Sequence, residues 1–126
     1  VIGDGSMVLV AAAAVLCGGV ASVLRYLVSV LLGGRGTLQW AVLVVNVVGS
    51  ALGGAVLGLA ESGVISTDLR LILLGGVAGG LTTFSTWSVE TVELALTGKW
   101  FRSALNVGLN IVLGSLVATA AWLLVQ

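Results

Sequence analysis

The chain has 126 residues, of which 59% are hydrophobic and 8% charged, and its formal net charge is zero. An ordinary soluble domain is about 25% charged, so a chain this apolar lacks the polar surface to stay in solution and reads as a membrane protein. Balanced charge gives no basic field for nucleic acid, and the lack of histidine removes imidazole metal sites and His-based acid/base catalysis, so no enzyme is expected.

In chain order, Met7 to Leu24 carries no charge and the apolar pattern resumes past Arg25, which predicts a first membrane helix over 7–32. Its length and the lack of basic residues before it exclude a secretory signal. Cys17, the single cysteine, lies in this apolar run and reads as a small core residue. Gly33-Gly34-Arg35-Gly36 reads as a turn. A second span is expected over 39–61, with Trp40 as an interfacial anchor and Gly49, Gly53, Gly54 and Gly58 spaced to let helix backbones approach. Glu61 to Arg70 is a polar loop, and a third span over 69–97 runs into the acids Glu90 and Glu93. Gly98 to Arg102 mixes cations with aromatics as an interfacial anchor does, and a fourth span covers 103–125 with Trp122 near its far end. The expectation is one all-α transmembrane domain over 1–126.

With four spans both termini share a side. Arg70 lies near span ends on that side and Arg35, Lys99 and Arg102 on the other, a small bias towards termini outside. So small a bias also suits a protein that inserts in both orientations. Four helices enclose little more than a packed seam, so a hydrated pathway is expected where copies meet.

The third span is the one that does not fit a plain helix. Gly75, Gly76, Gly79 and Gly80 each weaken a helix interior, and Thr82, Thr83, Ser85, Thr86 and Ser88 then crowd around Phe84 and Trp87. Broken backbone at membrane depth is tolerated only when buried in protein or lining a polar cavity, and broken helices supply ion sites. The stretch therefore reads as an ion site.

Ionisable groups inside spans are functional candidates by default. Arg25 either lines a vestibule that draws in anions or snorkels to the headgroups. Glu90 either pairs with Arg25 or a helix end, or takes part in permeation. Asn46, an amide amid apolar residues, is either glue between helices or part of a polar path. Asn106 and Asn110 share one face of the fourth span with Gly114, and three membrane amides suggest a polar path. Phe84 and Trp87 share a face, with Thr83 and Thr86 on the neighbouring one. Electropositive ring edges among hydroxyl donors suit a small, hard anion.

Three pieces carry a family resemblance: Gly18-Gly19 with Leu24-Arg25-Tyr26, then Asn46-Val47-Val48-Gly49-Ser50, and Gly79-Gly80-Leu81-Thr82-Thr83-Phe84-Ser85-Thr86 running on to Glu90. In these the chain resembles the Fluc/CrcB fluoride channels. The resemblance implies an antiparallel, dual-topology homodimer in the plasma membrane of a prokaryote, surrounded by lipid and passing fluoride out of the cell. It implies a structural sodium ion at the dimer centre on the backbone carbonyls of Gly79 and Thr82. Asn46 and the ring of Phe84 fall in the pore, with Trp87, Thr83, Ser85, Thr86, Asn106 and Asn110 beside them, and Arg25 falls in the vestibule. The chain departs from the family pattern at Trp87, which stands for a phenylalanine, at Asn106 and Asn110, which stand for Tyr and Ser, and at Ala21, which stands for a glycine. The alternative from another class is a small proton-coupled multidrug-type exporter, which would want a carboxylate inside the first span.

Overall fold

Long uncharged stretches separated by short polar ones can satisfy their backbone in a bilayer only as helices, and the chain folds accordingly. The computed structural model describes residues 4–33 and 40–126. Of the turn expected at 33–36, all but Gly33 lies outside the described residues, Arg35 included. Among the described residues, four helical passes are long and apolar enough to cross a membrane. The first is α1 (Asp4–Leu32) and the second α2 (Trp40–Glu61). The third is assembled from α3 (Thr67–Leu71), a π-helical segment (Ile72–Ala78), α4 (Gly79–Leu81) and α5 (Phe84–Leu96). The fourth is α6 (Trp100–Val125), which starts within the aromatic and basic stretch expected to lie at the interface.

Local chemistry explains the ends. Ser66 caps α3 by accepting from the Leu69 N–H at 3.2 Å. Gly98, at φ +77°, closes α5 with paired bonds from its own N–H to Ala95 and from the Lys99 N–H to Leu94. This is the arrangement that covers the last carbonyls of a helix and needs a residue free to adopt positive φ.

Two helix pairs make the bundle. In the first, α2 lies against α6, and α2 carries most of the buried apolar residues, including Val42, Leu43, Val45 and Val56. The pair is close enough that a side chain at Gly54 would run into the Ala118 carbonyl, so the small-residue spacing in α2 serves close backbone approach. At its far end, the Trp122 indole donates to Glu61 Oε2 at 2.8 Å and ties the helix ends together. In the second pair, α1 packs on the π-helical segment and α4. Here Gly80 meets the Gly18 carbonyl, and a Cβ at Gly76 would stand 2.6 Å from the Ala14 carbonyl.

The glycines of the third pass therefore stay helical, Gly75 and Gly76 in the widened π-helical turn and Gly79 and Gly80 in α4, and Gly76 and Gly80 serve contact with α1. The backbone leaves the helix only at Thr82 and Thr83. Away from this contact α1 is largely exposed, with Leu16, Val20 and Leu31 presented outward as suits lipid or a second apolar surface.

Gly54→Ala is expected to lower the melting temperature in detergent, because overpacking against backbone costs about 1–3 kcal/mol. Gly108→Ala, with nothing within 4 Å of its added Cβ, should match or exceed wild type. Equal melting of the two variants would remove close packing as the role of Gly54.

Candidate functional site

At the break Thr82 has ψ 155° and Thr83 has φ −146° and ψ 114°, so two extended residues interrupt a membrane-spanning pass. Each polar group freed there costs several kcal/mol in hydrocarbon unless it finds a partner. The partners come from three helices. From α2, Asn46 Oδ1 accepts the Thr83 N–H at 2.8 Å, while Asn46 Nδ2 reaches the Thr83 carbonyl at 3.4 Å. From α1, Arg25 Nη1 donates to the Thr82 carbonyl at 2.9 Å, and Ser22 Oγ to the Gly80 carbonyl at 3.3 Å. Within the third pass, Thr83 Oγ1 caps α5 by accepting the Thr86 N–H at 3.2 Å, and the Thr82 hydroxyl bonds back to Ala78.

A line of amides leads away from the break. Asn46 Nδ2 donates to Asn110 Oδ1 at 2.9 Å. Asn110 Nδ2 donates to the Asn106 carbonyl at 2.9 Å and to Asn106 Oδ1 at 3.2 Å, and Asn106 Nδ2 donates to Thr91 Oγ1 at 3.0 Å. Asn106 is only 1% exposed, so this order is held by burial as well as by bonding. Beside the line the Phe84 and Trp87 rings meet edge to face, with centroids 5.5 Å apart and planes at 64°. The Trp87 indole N–H reaches the Asn106 carbonyl at 3.3 Å.

These groups surround a groove of about 320 Å³ lined by Asn46, Ser50, Thr82, Thr83, Phe84, Trp87, Asn110 and Ile111. Ser85 and Thr86 lie next to it through bonds to the Thr83 hydroxyl at 3.3 and 3.0 Å. Most of the candidate residues thus converge at one place, and Asn106 stands behind the groove rather than in its lining. Glu90 lies further along α5, where its Oε2 is buried without a hydrogen-bond partner. Arg25 sits on the break itself.

Sequence reading gives no role to Ser22, Thr91 and Ser103 and names Ser50 only within a motif. Ser22 stands three residues before Arg25, and Ser50 four after Asn46, helical spacings that put each on its neighbour's face. Thr91 falls one turn beyond Trp87. Ser103 donates to the Thr91 carbonyl at 2.8 Å, a pairing that only the α5–α6 register reveals.

Residues 12–122 match the family described as CrcB-like protein, Camphor Resistance (CrcB). The chain belongs to this family. Similar CrcB-family relatives carry the name fluoride-specific ion channel FluC. That of Shewanella sp. (strain ANA-3) is 40% identical over 98 residues, spanning 76% of this chain and 79% of the relative. That of Shewanella denitrificans is 42% identical over 99 residues with the same coverage, and that of Shewanella loihica 36% identical over 100. These names describe ion channels rather than enzymes. Four spans and bacterial relatives make this CrcB-family member a multi-pass integral protein of a prokaryotic plasma membrane.

Asn46→Leu would leave the Thr83 N–H unpaired and is expected to lose about 1–3 kcal/mol of stability, read as melting temperature. Asn46→Asp keeps the acceptor for that N–H but sets a second, negatively charged oxygen against Asn110 Oδ1 and the Thr83 carbonyl, so it should also melt below wild type. Wild-type melting of Asn46→Leu would separate Asn46 from support of the break.

Proposed function

We propose that the chain is the subunit of a passive fluoride channel that lets fluoride leave the cell down its gradient. The observation that carries this is the state of the oxygens beside the groove. Asn46 Oδ1, Asn110 Oδ1 and Asn106 Oδ1 each already accept a hydrogen bond. One lone pair of each, which would repel an anion, is thereby occupied, while Phe84, Ser85 and Thr86 are exposed and Trp87 is half-buried. Hydroxyl donors and electropositive ring edges can stand in for part of the fluoride hydration shell. Arg25 supplies positive charge at the same depth.

In this reading two chains associate in antiparallel fashion, each inserted in the opposite orientation, and a sodium ion is held between them. The residues present fit such an ion. In an unbroken helix the Gly79 carbonyl would accept the Thr83 N–H, which has gone to Asn46 instead, and Gly79 lies on the exposed side of the chain. Neutral carbonyls from a helix break suit a monovalent cation. Gly79 and Thr82 would hold it, and its charge would offset the cost of anions in a low-dielectric interior.

Fluoride efflux from proteoliposomes, with chloride-loaded vesicles as the control, tests the function directly. Phe84→Ile is expected to reduce throughput by up to about tenfold, because an edge interaction is worth about 0.5–1.5 kcal/mol. Phe84→Tyr and Trp87→Phe should retain most of it, and Asn46→Asp should suppress it. Wild-type flux from a stable Phe84→Ile protein would move the anion site to the hydroxyls.

Orientation has its own test. Gln126→Cys in a Cys17→Ala background, labelled in intact cells with an impermeant thiol reagent, is expected to react from both sides of the membrane. Labelling from one side alone would exclude the antiparallel pair.

A further inference from the structure

Arg25 and Ser22 are the α1 side chains that reach the break, and both do so by donating to carbonyls. The Thr82 carbonyl stands at the C-terminal end of the helical run that begins at Thr67, where partial negative charge accumulates. A guanidinium keeps its charge in any protein environment, so the 2.9 Å bond from Arg25 Nη1 already places a cation on this oxygen. Gly79 is in the reverse situation, since its carbonyl has lost the Thr83 N–H to Asn46. Of the two oxygens suited to a bound cation, one is therefore uncovered and the other carries the protein's own positive charge. A carbonyl has a second lone pair, but two cations on one oxygen stand within a few ångströms of each other. Their repulsion is poorly screened at membrane depth.

We propose that Arg25 and the sodium ion are alternatives at the Thr82 carbonyl. Arg25 caps this oxygen in the unbound chain and gives it up when sodium is held at the break. This rests on the sodium reading given above. The exchange supplies a link between the two sides of the function. With Thr82 taken, the Arg25 guanidinium is free to face an incoming anion. By reciprocity, an anion that draws Arg25 away strengthens cation binding by the same factor that the cation strengthens anion binding.

The test compares wild type with Arg25→Gln, which retains a donor without the charge. The readout is the sodium concentration giving half-maximal thermal stabilisation of the purified protein, with N-methylglucamine as the balancing cation. Removing the competitor should lower that midpoint by about tenfold or more, within the range of ordinary couplings between sites. In wild type, sodium should also increase modification of Arg25 by phenylglyoxal, located by peptide mass spectrometry. A midpoint that is unchanged or raised, or labelling that sodium leaves unchanged or reduces, overturns the exchange and leaves the sodium reading standing. Absence of any sodium effect on either protein defeats both. Should Arg25→Gln fail to fold, the labelling of wild type decides alone.

Discussion

A backbone N–H in the middle of a bilayer has no water to turn to, and the structure depends on how that of Thr83 is satisfied. Its partner is the side-chain oxygen of Asn46 on α2, the helix that also packs closely on α6. Because the amide nitrogen of Asn46 extends to Thr83 and Asn110, one residue joins three passes at the point where one of them is interrupted. Arg25 and Ser22 complete the arrangement from α1. The break is thus not a loosened segment. It is a bonded junction, and polar groups that would be a liability in hydrocarbon become the fixed wall of a groove.

Such a wall suits an anion for a reason that simple polarity does not supply. Carbonyl and amide oxygens would repel a small anion, and a groove lined by them indiscriminately would favour cations. Here the Asn110 and Asn106 amide oxygens each accept from the neighbouring amide, and the Phe84–Trp87 pair stands in the groove lining. In the proposed reading, the Gly79 carbonyl, which the Thr83 N–H leaves for Asn46, belongs to a surface that would take positive charge. Coverage of oxygens, more than their number, would then divide the two chemistries along a few residues of α4 and α5.

Much of this was legible in the sequence. Uncharged runs marked four passes, and the conjunction of glycines, hydroxyls and aromatics marked the third as interrupted. The place of the interruption was less legible. Gly75, Gly76, Gly79 and Gly80 lower helix propensity, but Gly76 and Gly80 pack on α1 at Ala14 and Gly18 and the segment stays helical, a tertiary effect that propensity does not contain. Asn106 and Asn110 share a face by spacing alone, but the pairing of Asn46 with Asn110 depends on the register between α2 and α6. The sequence leaves Arg25 between vestibule and headgroup, and its bond to the Thr82 carbonyl is a third contact that depends on how α1 packs across the break.

The amide line has a direction. From Asn46 to Asn110 to Asn106 to Thr91 each side chain donates to the next, and the Thr91 hydroxyl continues the line by donating to the Trp87 carbonyl at 2.7 Å. An amide turned end for end would set oxygen against oxygen on one side and N–H against N–H on the other. Its neighbours could relieve that clash only by turning as well. The Thr83 N–H and the Asn106 carbonyl are backbone groups that cannot turn, so the line has one self-consistent polarity and behaves as a single aligned dipole rather than as separate side chains. In a molecule whose charges barely prefer one orientation in the membrane, that alignment gives each chain an inside and an outside of its own.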